Sequence, residues 1–189
     1  MAARDRLIQS TIDLVRRNGV AGTGVAQLLE NSGISRRTIY LNFPGGKSEL
    51  VAEATRVAGR AMSTFVESVA NPSADDALAA FVEWWKQFVL ASDFTAGCPI
   101  VAAALGRSES AEAADAAGEV FTDWEQILAA RLEREDVEAD TAKSLATTII
   151  SAIEGAVVVS LATHSTAPLE RTSRHMAELV ALHAPVKRD

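Results

Sequence analysis

Between Thr23 and Lys47 the chain sets hydroxyl, guanidinium, phenol, amide and ammonium groups at short spacing: Thr23, Ser35, Arg36, Arg37, Thr38, Tyr40, Asn42 and Lys47. An arginine can make paired hydrogen bonds to a guanine edge, and a threonine can meet a thymine methyl or a polar base edge. Hydroxyls, a lysine and the N–H groups of a helix start suit phosphate oxygens. Together these types can recognise duplex DNA. Singly, each has a plainer reading. Two arginines on a short helix are often only a solvated face, and Tyr40 can pack on a neighbouring helix as readily as it reaches a phosphate. The order and spacing of the whole set carry the argument.

Such a set needs a short helix turned outward and a scaffold that holds it there. The apolar residues Leu7, Ile8, Ile12 and Val15 recur at helical spacing, predicting a first helix over about Arg4–Arg17 that Asn18-Gly19 stops. Thr23 is expected to cap a second helix that carries Val25, Leu28 and Leu29. Gly33 turns the chain, and Ser35 caps a third helix from Arg36 to Asn42. Ile34, Ile39 and Phe43 would seat that helix on the first two. Two short helices meeting through a glycine turn form a helix-turn-helix, whose second helix can lie in a major groove.

The rest of the chain also reads as helical, giving an all-α fold of about nine helices. Helix 4 is expected over Lys47–Ala70, with Leu50, Ala54, Val57, Ala61, Phe65 and Val69 near one stripe. Asn71-Pro72 breaks it and Ser73 caps helix 5. Phe81, Val82, Trp84, Trp85, Phe88 and Val89 exceed a single apolar stripe, so helix 5 should meet apolar material on two sides. Helix 6 starts at Pro99 and ends near Leu105. Ser108 to Glu119 reads as a solvated start for helix 7, which then buries Phe121, Trp124, Ile127 and Leu128. Helices 8 and 9 occupy about Asp140–Thr163 and Pro168–His183. The expected division is a head over residues 1–46 and a second domain over 47–189.

The net charge of −7 argues at first against nucleic acid. Its distribution reverses that. Arg4, Arg6, Arg16, Arg17, Arg36, Arg37 and Lys47 stand against Asp5, Asp13 and Glu30, so residues 1–47 carry +4 and the remainder −11. Phosphate affinity follows the local face, not the global sum. One cysteine, Cys98, leaves no disulfide framework and no cysteine-based zinc site. The most apolar run, Ala146 to Ala162, falls short of the ~20 residues that span a bilayer and contains Glu154. A soluble cytoplasmic protein with no membrane span is expected. His164, His175 and His183 lie late in the chain, and there is no metal pair, nucleophile elbow or phosphate-binding glycine loop. No catalytic residue, metal or cofactor is expected. A helical small-molecule carrier that uses no DNA is an alternative, and the Arg36-Arg37-Thr38 cluster argues against it.

The pattern Gly19, Thr23-Gly-Val, Leu28, Ser32-Gly-Ile-Ser, Thr38-Ile-Tyr-Leu-Asn-Phe and Lys47-Ser-Glu-Leu resembles the TetR family of bacterial transcriptional regulators over residues 4–51. Pro44-Gly-Gly-Lys47 and Gly97-Cys98-Pro99 resemble its YxaF/LmrA-type branch, whose members answer to drug-like or other apolar molecules. The resemblance implies that Arg36 and Thr38 face bases, that Thr23, Tyr40 and Lys47 bind phosphates, and that Ser35 is a cap. Arg37 stands where the family often has glycine and would add a contact. Asn42 stands where it often has histidine.

The resemblance further implies a homodimer, a double-stranded operator, and a cavity for a small apolar effector, with release from a palindromic site as the expected outcome. The rings Phe65, Trp84, Trp85, Phe88, Phe121 and Trp124 are the expected lining, although ordinary core is an equal reading. Helix 8, rich in small and aliphatic residues, suits a partner as well as its own core. The dimer face is therefore expected at Ile150, Glu154, Val157, Val158 and Leu161, with Met176, Leu179 and Val180 from helix 9. Glu154 either points to water or pairs across that face.

Overall fold

The structure is a computed structural model that describes residues 2–69 and 74–184. The expected break at Asn71-Pro72, the cap at Ser73 and the side chain of Val69 lie outside what it describes. Among the described residues every regular element is a helix: α1 (Ala3–Asn18), α2 (Val25–Ser32), α3 (Arg36–Asn42), α4 (Gly46–Val69), α5 (Ala74–Ala91), α6 (Pro99–Leu105), α7 (Ala111–Glu133), α8 (Ala139–Thr163) and α9 (Ala167–His183).

The helices form two compact units, Met1–Ala61 with Ala96–Phe121 and Met62–Thr95 with Thr122–Asp189. The unit holding the three-helix head thus extends beyond residue 46, taking in the first half of α4, α6 and the start of α7. Its core is Leu7, Ile8, Ile12, Leu28, Ile34, Ile39, Phe43 and Leu50, all buried. The spacing that predicted α1 is the spacing of its buried face. Gly33 ends α2 in the left-handed region at φ 65°, where a side chain would be strained, and its N–H closes on Leu29 O at 3.0 Å.

Two sequence expectations fail in this unit. Thr23 does not cap α2. Gly24 occupies that position, its N–H donating to Gln27 Oε1 at 2.9 Å, while the fully buried Thr23 donates its hydroxyl to Gly19 O at 2.7 Å. Nor is the start of α7 solvated. Ala113, Ala114, Ala116, Ala117 and Val120 are buried, because their small side chains let α7 lie close to α4. A Cβ added at Gly59 of α4 would collide with Val120. Ser48 and Ser110 share a hydrogen bond at 2.6 Å, and Arg56 donates to Glu119 at 3.0 Å. The acidic residues sit on one side of α7 and the alanines on the other.

In the second unit α5, α8 and α9 pack on one another. Lys86 of α5 bridges Glu83 at 3.0 Å and Glu170 of α9 at 3.1 Å. Glu138 caps α8, its carboxylate accepting from the N–H groups of Asp140 and Thr141 at 3.0 Å each. Those two bonds hold the Glu138 carboxyl below the ordinary carboxylate range. At 25 residues α8 is longer than its most apolar run suggested, and by length and composition alone it would pass for a membrane span. Its buried Leu145, Ile149, Ile153 and Val157 instead make it the core helix of this unit.

Candidate DNA interface and ligand cavity

Helix α3 is held from below and open above. Ile34, Ile39 and Phe43 are buried, whereas Arg36, Arg37 and Tyr40 are exposed, Tyr40 at 47%. Ser35 caps the helix as expected, its Oγ accepting from Thr38 N at 3.2 Å and lying 2.9 Å from Thr38 Oγ1. That pair fixes the Thr38 side chain at the end of the helix that a groove would meet. Asn42 turns back, donating its amide to Thr38 O at 2.8 Å. Leu41, 70% exposed, is an apolar neighbour that residue-type reasoning passed over.

The expected phosphate ligands divide. Tyr40 is available. Lys47 is half-buried and donates to Val20 O at 2.7 Å, tying the start of α4 to the turn after α1. The Thr23 hydroxyl is turned inward, which removes it as a phosphate donor. At the starts of α2 and α4 one N–H each is engaged internally: Gly24 N–H donates to Gln27 Oε1, and Gly45 N–H donates to Glu49 Oε2 at 2.7 Å. Gln27 and Glu49 were missed because a side chain that satisfies its own helix start is legible only as a three- or four-residue spacing. Among the head's cations, Arg4 pairs with Glu53 at 3.1 Å and lies 5.3 Å over the Phe43 ring. Arg16 is half-buried, and desolvation pulls its pKa down. Arg6, Arg17, Arg36 and Arg37 are exposed.

A cavity of about 660 Å³ lies inside the second unit, bounded by α4, α5, α7, α8 and α9. Of the six rings expected to line it, only Trp124 does, joined by Phe81. Trp85 is 1% exposed core. Phe65, Trp84 and Phe88 pack ring on ring, Phe65 and Phe88 each 5.5 Å from Trp84 and Trp85 5.0 Å from it. Phe121 belongs to the other unit. Aliphatic residues at helical spacing do most of the lining, among them Met62, Leu78, Ile127 and Leu128. The expected dimer face also divides. Ile150, Glu154 and Val180 line the cavity, and Val157 is buried within its own unit. Val158 is 52% exposed, and Leu161, Met176 and Leu179 are half-buried. A helix packed on two sides presents only its remaining stripe outward.

An outward basic helix on a helix-turn-helix scaffold defines a DNA-binding protein. Residues 7–54 match the family described as bacterial regulatory proteins, tetR family. Residues 74–175 match the LmrA/YxaF-like C-terminal domain of transcriptional regulators. The chain belongs to the TetR family of bacterial transcriptional regulators, with a C-terminal domain of the LmrA/YxaF type; these are regulators, not enzymes.

Among curated relatives, it is 29% identical over 188 residues to the uncharacterized HTH-type regulator Rv0196 of Mycobacterium tuberculosis, covering 96% of each chain. It is 26% identical to the HTH-type transcriptional regulator LmrA of Bacillus subtilis, covering 94% of this chain and 96% of that one. A TetR regulator from Legionella pneumophila shares the fold at TM-score 0.83 and 17% identity, covering 95% and 97% of the two chains. Another from Rhodobacter sphaeroides does so at 0.85 and 16%, covering 93% and 97%.

Proposed function

We propose that this chain is a cytoplasmic, homodimeric repressor that holds a palindromic operator until a small, largely apolar effector enters its cavity. Arg36 and Thr38 read base edges, Arg37 and Tyr40 meet the backbone, and Lys47 adds a phosphate contact once its bond to Val20 O is exchanged. Residues 1–46, with Lys47 at the boundary, are the DNA-contacting part, and 47–189 bind effector and partner. The partner face is the outward stripe of α8 and α9 around Val158, Leu161, Met176 and Leu179.

The observation that carries this reading is the cavity itself. A protein that only bound DNA would have no use for about 660 Å³ of largely apolar space in its second unit. Met62 and Val66 of α4 line that space, and α4 begins at the end of the helix-turn-helix. A dimer reads two half-sites about 34–36 Å apart. An effector that binds better to a conformer with a different spacing shifts the population by that difference in affinity.

Selection of bound sequences from random DNA by the purified protein tests the first half: an enriched inverted repeat is expected, and unenriched or unpaired sequence overturns it. Titration of the selected operator complex with a panel of apolar compounds tests the second. Release by at least one compound is expected, and a panel whose bound members never alter DNA affinity removes the effector.

A further inference from the structure

One outward residue of α3 has a side chain that cannot hydrogen-bond. Leu41 is 70% exposed, more than its neighbour Tyr40 at 47%. The helix is seated through Ile39 and Phe43, each 1% exposed. At about 100° per residue, Leu41 lies two residues, or about 200°, from both, so it points away from the core on which α3 rests. Arg37 and Thr38 flank it, about 40° and 60° around the helix on either side. Thr38 is held by Ser35, whose Oγ lies 2.9 Å from its hydroxyl. Arg37 and Leu41 are about 6 Å apart along the helix axis, so the three side chains fall within one major groove, about 12 Å wide.

Resting on the reading in which α3 enters the major groove, we propose that Leu41 is a specificity-determining residue that selects thymine by packing on its C5 methyl. A lone exposed leucine elsewhere on a surface is ordinary. At the centre of the outward face of α3 it is covered by whatever docks there. The floor of the major groove consists of hydrogen-bonding edges and one apolar group, the thymine methyl. Against the edges of guanine, cytosine or adenine, Leu41 would exclude water from donors and acceptors without replacing it, which weakens binding. Against the methyl, apolar surface leaves water on both sides of the contact. Leu41 thus adds a base preference that the polar residues beside it do not supply.

The test uses the purified full-length protein and the operator selected from random DNA. Each thymine of that operator is replaced in turn by uracil, which deletes the methyl and keeps the base pair, and affinity is measured at fixed salt. For the parent protein at least one replacement is expected to weaken binding about fourfold, the worth of one buried methyl. Leu41→Ala, checked for an unchanged melting temperature, should bind the thymine and uracil forms of that site equally. A repeated selection with this variant should lose the thymine preference at that position and keep the others. A parent protein indifferent to every thymine methyl overturns the proposal. So does a methyl effect that Leu41→Ala retains in full at every sensitive thymine. The selection also separates this proposal from the reading beneath it. An enriched operator with no Leu41-dependent methyl removes the role of Leu41 and leaves α3 in the groove, whereas the absence of any enriched sequence removes both.

Discussion

At the residue scale, specificity and affinity separate on α3. On the proposed reading Arg36 and Thr38 face base edges, so Arg36→Ala and Thr38→Val should each cost about 1–3 kcal/mol on the selected operator and relax preference at particular positions. Repeating the random-DNA selection with each variant checks this; unchanged base preferences would remove the direct-readout assignment. Lys47→Gln should weaken all sequences alike and lower the salt slope by about one, read from binding isotherms at several salt concentrations. Ser35 matters through geometry. It holds both the N–H and the hydroxyl of Thr38, so Ser35→Ala should lose about 1 kcal/mol of stability and weaken operator binding further by releasing Thr38. A melting curve and a gel shift on the same preparation separate the two effects.

At the element scale, helix ends and helix contacts set the expectations. The carboxylate of Glu138 is stabilised in its charged form by two N–H groups of α8, so its folded pKa lies below its unfolded one. Its contribution is present above the ordinary carboxylate range and is lost as pH falls through the depressed folded value. Glu138→Ala should therefore melt earlier than the parent at neutral pH, and the gap should close on acidification. A gap that stays constant with pH would mean that the cap is not electrostatic. At Gly59 there is no room for a side chain between α4 and Val120 of α7. Gly59→Val should overpack against Val120 and cost about 1–3 kcal/mol, visible as a lowered denaturant midpoint.

At the scale of the whole molecule, an acidic chain must bind a polyanion. The +4 head makes this possible only if its charge is presented together, and α1 and α3 expose Arg6, Arg17, Arg36 and Arg37. Operator affinity should fall steeply with salt, as counterion release requires. On the proposed dimer reading, Val158→Glu on the outward stripe of α8 should shift the protein from dimer to monomer in sedimentation and cost operator affinity through loss of the second half-site. A variant that stays dimeric would move the partner face elsewhere.

Much of this was legible in the chain. Helical spacing marked α1, glycine and proline marked the stops and the start of α6, and Ser35 as the cap of α3 followed from residue type and position, because local propensity and capping depend on a few neighbouring residues. Thr23 defied that logic because two competing local bonds exist, to Gly19 O or to its own helix start, and burial decided between them. Residue type could not say which apolar face lines a cavity. Trp84, Trp85 and Phe88 looked like a pocket yet pack on one another, while Ile127 and Leu128 looked like core and line the space. Hydrophobicity fixes that a side chain leaves water, but which neighbour it meets depends on how helices distant in sequence cross. The same holds for Glu154: its sequence neighbours announced an apolar setting, and only the packed helices brought it to the wall of a cavity.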